Sequence, residues 1–116
     1  MNWIALTEEP QLEQIKEQSK QRSVVIFKHS TRCSISSMAK NRLERETPPA
    51  DIPFYYLDLI AYRSLSNRIA ADFQVQHQSP QILIIKNGEC IYEESHNGIN
   101  MQDIEEQSGY GKFVHR

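Results

Sequence analysis

The chain has 116 residues, of which 24% are charged, and a formal net charge of −2 at neutral pH. This length fits one domain with a single hydrophobic core, and the weakly acidic balance offers no basic surface for nucleic acid. No apolar run approaches the roughly 20 residues of a membrane helix, and the first residues lack the pattern of a signal peptide. We therefore expect a cytoplasmic domain over residues 1–107 and a loosely ordered tail over residues 108–116.

The first half of the chain predicts two strands and two helices. An edge strand over residues 3–6 is followed by a helix that Thr7 caps. The uninterrupted apolar run over residues 23–28 is typical of a central strand buried on both faces. Over residues 34–46 the apolar spacing becomes helical. The predicted inward face of that helix consists of Ile35, Met38, Ala39 and Leu43.

The second half predicts a strand, a helix, a hairpin and a last helix. The strand covers residues 54–59, and the helix after it has an apolar stripe at Tyr62, Leu65, Ile69 and Phe73. Two further strands, over residues 81–86 and 90–94, flank Asn87-Gly88, which is a strong signal for a type I′ hairpin turn. Asn100 is expected to cap the last helix, with Asp103 at the capping-box position.

This order of elements predicts the class of fold. Alternation of strands and helices implies a parallel pair of strands made by a right-handed crossover, and the closing hairpin adds antiparallel strands. We therefore predict an α/β protein with a thioredoxin-like fold. Its mixed central sheet has four to five strands and is flanked by helices on both faces.

Cys33 is the candidate nucleophile because it lies where a predicted strand passes into a predicted helix. Free backbone N–H groups and the helix dipole stabilise an anion at that point. A thiolate is such an anion, and it is the attacking species in disulfide exchange. Lys28, Arg32 and a protonated His29 act in the same direction. The polar residues around Cys33 also argue against an inert, buried cysteine.

Ser36 takes the place of the second thiol in a CxxC motif, which here reads Cys33-Ser34-Ile35-Ser36. A hydroxyl cannot form a disulfide, so Cys33 is predicted to work by a one-cysteine route. Ser36 either donates a hydrogen bond to the thiolate or simply begins the helix. The other thiol, Cys90, follows the hairpin turn and is expected roughly 15–20 Å away. A disulfide needs Cα atoms within about 7 Å, so Cys90 is interpreted as structural.

Pro80 is the second candidate site residue. It opens a predicted strand, where the missing backbone N–H is tolerated. In the thioredoxin architecture this position faces the nucleophile, and a cis Ser79–Pro80 bond there leaves the backbone of Ser79 free to pair with a substrate.

No metal site is predicted. The four histidines show no metal-ligand spacing with the cysteines, and each is interpreted as a surface residue. They are His29, His77, His96 and His115.

Residues 28–36 (Lys-His-Ser-Thr-Arg-Cys-Ser-Ile-Ser) and residues 77–81 (His-Gln-Ser-Pro-Gln) together resemble a known family. They are similar to the monothiol bacilliredoxins, the YtxJ-like bacillithiol-system redox-active proteins of the thioredoxin superfamily. The likeness extends from Trp3 to about Gln107. It implies an oxidoreductase that removes bacillithiol from S-bacillithiolated cytoplasmic proteins, with Cys33 as the nucleophile.

The resemblance also implies the remaining site residues and the partners. Ser79 and Pro80 are expected to form a substrate-facing loop. Next to the thiol, Thr31, Arg32 and Ser34 are expected to contact the substrate. Bacillithiol is then a thiol co-substrate, no bound cofactor is expected, and a second low-molecular-weight thiol or a separate reductant regenerates Cys33.

Three other functions remain open at this point. A glutaredoxin-like monothiol enzyme would use the same residues with another low-molecular-weight thiol, such as glutathione. An iron–sulfur-binding module would hold a cluster between two subunits with one cysteine from each and a small thiol. A protein-interaction module would keep the fold and leave Cys33 inert.

Overall fold

A computed structural model of the chain describes residues 1–109. The strands are β1 (Trp3–Ala5), β2 (Val24–His29), β3 (Phe54–Asp58), β4 (Gln81–Lys86) and β5 (Glu89–Ser95). The α-helices are α1 (Glu9–Gln18), α2 (Ser34–Glu44), α3 (Arg63–Phe73) and α4 (Met101–Gln107). A short 3₁₀ turn, His96–Gly98, precedes α4.

The strands form one mixed sheet in the order β1-β3-β2-β4-β5. β1 and β2 are parallel to β3, whereas β4 runs antiparallel to both β2 and β5. All six residues of β2 are buried, as the continuous apolar run predicts for a central strand. The predicted α/β architecture with a mixed central sheet is therefore confirmed.

The two faces of β2 belong to two separate layers of the core. Its even-numbered apolar residues pack with α1 and α3, and its odd-numbered apolar residues pack with α2 and α4. Successive side chains of a strand point to opposite faces. The last two residues of β2, Lys28 and His29, therefore lie on opposite sides of the sheet.

Two predicted helix starts have different outcomes. The N-cap of α1 is Glu8 and not Thr7, so the prediction for Thr7 is wrong. Instead, the side chain of Gln11 reaches back to the start of the helix. Its Oε1 accepts hydrogen bonds from the backbone N–H of Glu8 at 3.0 Å and from that of Thr7 at 2.8 Å. Asn100 does cap α4, because its Oδ1 accepts from the backbone N–H of Asp103 at 2.9 Å.

The inward face predicted for α2 is partly wrong. Ile35 and Met38 are 48% and 59% exposed, whereas Ser36, Ala39 and Leu43 are buried. Positions 36, 39 and 43 lie on one side of a helix with 3.6 residues per turn. Because the first residue of this buried stripe is the polar Ser36, the spacing of apolar residues alone does not predict it.

Two expectations concern the ends and edges of the domain. The boundary at residue 107 stays a prediction, because residues 110–116 of the expected tail lie outside the described residues. Ser108 still follows α4 closely, and its carbonyl accepts a hydrogen bond from the Ser23 hydroxyl at 2.7 Å. Across residues 1–109, none of the helices has the length and apolar character needed to cross a bilayer.

Candidate active site

Cys33 is the N-cap residue of α2, as the change from strand to helical periodicity predicts. Its backbone is extended, with φ −109° and ψ 122°, and its side chain is half-buried. Its N–H donates to the carbonyl of Ser30 at 3.1 Å, which closes a turn between β2 and α2. Its own carbonyl accepts from the N–H of Ser37 at 3.1 Å. The thiol is therefore carried by a hydrogen-bonded turn at the positive end of a helix dipole.

The Ser36 side chain holds this turn against the helix. Ser36 is fully buried, and its Oγ accepts from the backbone N–H of Ser30 at 3.0 Å. The same oxygen lies 2.6 Å from Nδ1 of His29. No hydrogen bond within residues 1–109 reaches the sulfur of Cys33. Ser36 therefore has a structural role that neither sequence-based alternative includes, since it joins the end of β2 to the first turn of α2.

His29 is buried behind this turn, so its interpretation as a surface residue is wrong. Its ring stacks on Phe27 at 5.7 Å and lies 5.5 Å from the ring of Tyr56. Burial lowers the pKa of His29, repulsion from Lys40 lowers it further, and Asp58 partly opposes both effects. The neutral imidazole is therefore favoured, and a cationic His29 is not a standing source of thiolate stabilisation.

Lys28 lies on the opposite face of the sheet and is also fully buried. Its ammonium donates to the carbonyl of Ser66 at 3.2 Å and lies 3.4 Å from Nδ1 of His77. Desolvation lowers the pKa of Lys28 to about 8. The pKa of His77 is also lowered, by burial and then by the charges of Lys28 and Arg63. The sequence pattern does not single out this cluster, and its one signal is a lysine at the end of a predicted buried strand.

The loop before β4 reaches the same edge of the sheet as Cys33. Lys28 pairs with Gln81 in the antiparallel register, so Pro80 comes next to the end of β2. The Ser79–Pro80 peptide bond is cis, and the carbonyl of Pro80 accepts from the N–H of His96 at 3.2 Å. Ser79 makes no hydrogen bond to any other described residue through its backbone, and its Oγ is buried without a partner. The backbone N–H and C=O groups of Ser79 are therefore not used by hydrogen bonds within residues 1–109.

The remaining predicted site residues form an exposed rim around the thiol. Thr31, Arg32 and Ser34 are all exposed in the turn and at the first position of α2. Arg32 takes part in none of the ion pairs found within residues 1–109. Ile35 and Tyr62, exposed by 48% and 38%, lie at the starts of α2 and α3 and add apolar surface at this edge.

Cys90 lies at the other end of the sheet. It pairs with Ile85 in β5, and Ile85 pairs with Val24 at the start of β2. The five-residue separation of Val24 from His29 corresponds to about 16 Å. Burial raises the pKa of Cys90, and its thiol donates to the carbonyl of Tyr92 at 3.2 Å. Cys90 is therefore too distant and too poorly ionised to attack a disulfide held by Cys33.

A large groove also lies away from Cys33. Its volume is about 830 Å³, and it is lined by residues 48–54, by the N-terminal residues and by the end of α1. It contains none of the predicted site residues. This groove is therefore separate from the candidate site around Cys33.

Comparison with known proteins assigns the family. A family model described as "Monothiol bacilliredoxin BrxC" matches residues 4–104. The chain belongs to this family of monothiol bacilliredoxins. A solved structure described as a proposed oxidoreductase with a thioredoxin fold is 33% identical, with 90% of this chain and 91% of that chain covered and a TM-score of 0.79. The family resemblance drawn from the motifs is confirmed.

More distant structures support the fold alone. Thioredoxin from Malassezia sympodialis is 18% identical and has a TM-score of 0.72, with 94% of this chain and 90% of that chain covered. Thioredoxin from Trypanosoma brucei brucei is 12% identical and has a TM-score of 0.70, with 99% and 93% covered. The bacilliredoxin is therefore a monothiol redox protein built on the thioredoxin fold.

Proposed function

We propose that this bacilliredoxin removes bacillithiol from S-bacillithiolated proteins by thiol–disulfide exchange at Cys33. The observation that carries the proposal is the placement of Cys33 at the N-cap of α2, with the only other cysteine at the far end of the sheet. A thiolate at a helix start attacks disulfides readily. Without a second thiol in reach, the mixed disulfide that it forms must persist until another molecule reduces it.

The exchange conserves electrons at each step. The Cys33 thiolate attacks the bacillithiol sulfur of the mixed disulfide, the client sulfur leaves as a thiolate, and water protonates it according to pH. Cys33 then carries bacillithiol in a new disulfide. A second bacillithiol thiolate attacks that bond, which restores the Cys33 thiolate and yields oxidised bacillithiol disulfide. A separate dithiol reductant serves the same purpose.

The surroundings of the thiol favour a protein client. The unbonded N–H and C=O groups of Ser79 can pair with an extended segment of the client, as at the edge of a sheet. The exposed side chains of Ile35 and Tyr62 offer apolar contact on either side. Arg32 provides a cation for a carboxylate of the small thiol. Thr31 and Ser34 complete this rim.

The test is the transfer of mass between two proteins. The reduced bacilliredoxin is incubated with a bacillithiolated client protein, and both are weighed by mass spectrometry. We expect the client to lose one bacillithiol, and Cys33 to gain it before a reductant is added. Cys90→Ala is the matched control and should transfer normally, whereas Cys33→Ala should not. Absence of mass on Cys33, or normal transfer by Cys33→Ala, refutes the proposal.

The same assay separates this function from a glutaredoxin-like activity. One client protein is prepared in bacillithiolated and in glutathionylated form, and the two transfer rates are compared. We expect faster transfer from the bacillithiolated client. A faster reaction with the glutathionylated client would assign the protein to another low-molecular-weight thiol, with Cys33 still the nucleophile.

A further inference from the structure

The loop before β4, residues 74–80, is held by two buried polar side chains. Lys28 at the end of β2 and Gln81 at the start of β4 are both fully buried, and they pair directly in the antiparallel register. Side chains of directly paired residues lie on the same face of a sheet. The two polar groups therefore lie side by side at the sheet edge that this loop covers.

Three successive residues of the loop are bonded to this pair. The Nε2 group of Gln81 donates to the carbonyl of Gln76 at 3.0 Å, and its Oε1 accepts from the backbone N–H of Gln78 at 3.4 Å. Between these two contacts, Nδ1 of His77 lies 3.4 Å from the ammonium of Lys28. The loop is therefore fixed to the sheet by side chains at each of these three positions.

The amide of Gln81 fits this place in only one orientation. It has two hydrogens to donate and one oxygen that accepts, and the second hydrogen goes to Oε1 of Glu93 in β5 at 3.2 Å. Exchange of the amide oxygen and nitrogen would set the oxygen against the carbonyl of Gln76 and the carboxylate of Glu93, which both only accept. Gln81 therefore joins the loop to the neighbouring strand through a fully bonded group.

These contacts fix the backbone on both sides of Ser79. The bond between the Gln78 N–H and the Gln81 side chain closes a ring that contains Ser79 and Pro80. Within residues 1–109 the N–H and C=O of Ser79 make no hydrogen bond, so the position of Ser79 depends on its neighbours. A backbone that is already fixed pairs with a partner at a lower entropic cost than a mobile one.

We propose that Gln81 is a positioning residue that fixes the backbone of Ser79 for pairing with an extended segment of a client. Because Gln81 is fully buried, it acts through the loop and not by contact with the client. Its effect should therefore be large for a cysteine within a peptide chain and absent for a small disulfide. The inference rests on the proposed function in taking Ser79 as the residue that faces the client.

Two mixed disulfides with nitrothiobenzoate test the proposal without any bacillithiol. One is carried by the cysteine of a short extended peptide and the other by N-acetylcysteine amide. In both, the Cys33 thiolate attacks the cysteine sulfur, the bond to nitrothiobenzoate breaks, and the coloured thiolate leaves while Cys33 keeps the cysteine in a new disulfide. The full chain is used with Cys90→Ala, so that one thiol reacts. The ratio of the two rates measures what the peptide chain adds.

The unaltered loop should react faster with the peptide than with the small disulfide. Gln81→Met keeps a buried side chain of similar length and removes the bonds to the loop. We expect it to lower the ratio of rates about tenfold, because the hydrogen bonds of Ser79 to the peptide are no longer well placed. The rate with the small disulfide should not change. Gln102→Met, a change at an exposed glutamine of α4, is the matched control and should keep the original ratio.

Three results of this assay would overturn the proposal. The first is a Gln81→Met protein that folds, by circular dichroism, and keeps the original ratio. The second is an equal fall of both rates in that variant, which would show a general structural effect. The third is a protein with an unaltered loop that reacts no faster with the peptide than with the small disulfide.

Hydrogen exchange in the protein with an unaltered loop covers the case in which Gln81→Met does not fold. Backbone amides are followed by NMR in the free protein and in its mixed disulfide with the peptide. We expect the N–H of Gln78 to be protected in both states, and that of Ser79 only in the disulfide. Rapid exchange at Gln78 in the free protein, or at Ser79 in the disulfide, would overturn the inference. A protein that shows both the peptide preference and this protection but transfers no bacillithiol would refute only the proposed function.

Discussion

The buried charge of Lys28 gives the sharpest test of the forces within this fold. Burial lowers the pKa of Lys28 from 10.5 to about 8, so the folded protein resists protonation of this amine. At about 1.4 kcal/mol per pKa unit, the charged form destabilises the native state by about 3 kcal/mol. This cost is large against a typical net stability of about 5–15 kcal/mol. We therefore expect Lys28→Met, which keeps a long flexible side chain, to stabilise the protein near neutral pH.

The expected size of the gain follows from two opposing effects. Removing the buried charge contributes about 3 kcal/mol, and losing the contacts of the ammonium costs about 1 kcal/mol. The carbonyl of Ser66 lies within α3, where the helical pattern supplies its own donor. The variant should therefore be more stable by about 2 kcal/mol near neutral pH.

The pH dependence has a definite sign. Below pH 8 the lysine is charged in both states, and the full penalty is present. Between about 8 and 10.5 the folded state has released the proton and the unfolded state has not, so the stability of the parent protein rises with pH. At about pH 10 the charged form of Lys28 still destabilises the parent protein by about 1 kcal/mol. The variant loses about the same amount of stability with the contacts of the ammonium. The advantage of the variant should therefore shrink from about 2 kcal/mol to about zero.

Urea unfolding near neutral pH and at about pH 10 measures this difference directly. Lys20→Met is the matched control, because Lys20 is an exposed lysine whose one ion pair within residues 1–109 is with Glu17 at the surface. Its stability difference should be small and independent of pH. An advantage of Lys28→Met that does not change with pH, or a variant less stable than the parent near neutral pH, would refute this account of the buried charge.

Two further substitutions test the site. Ser36→Cys should form a disulfide with Cys33 on oxidation, since the two Cα atoms are about 5–6 Å apart at the helix start; mass spectrometry after alkylation should then find two blocked thiols. An oxidised variant in which both remain alkylatable would contradict this geometry. Ser79→Ala should leave stability unchanged or raise it by up to about 1 kcal/mol, because the buried hydroxyl has no partner to lose. A lower urea midpoint would show that the hydroxyl is bonded in solution.

The sequence predicts the fold well because most of its elements rest on local signals. Uninterrupted apolar residues mark the central strand, and the Asn87-Gly88 pair marks the hairpin. Both residues of that pair have positive φ, 53° and 76°, as a type I′ turn requires. The start of α1 was missed because its cap depends on a side chain one turn later, Gln11, and not on the residue before the helix.

The sequence also places Cys33 correctly, because a change from strand to helical periodicity defines a helix start. It says less about Ser36, whose partners come from residues six and seven positions earlier. Those contacts exist only when β2 and α2 pack against each other. A motif therefore identifies the missing second thiol, whereas the bonding of the hydroxyl that replaces it is a property of the folded chain.

The least predictable feature is the burial of the two polar residues that end β2. In the sequence, Lys28 and His29 look like the solvated end of a buried strand, since burial depends on which elements cover them. The loop with His77 covers one face and the turn closed by Ser36 covers the other. Each buried group has a lowered pKa and few bonding partners, which is costly for stability. Their burial is therefore set by the elements that pack over this edge of the sheet and not by the sequence of the strand itself, which is why the sequence pattern does not reveal it.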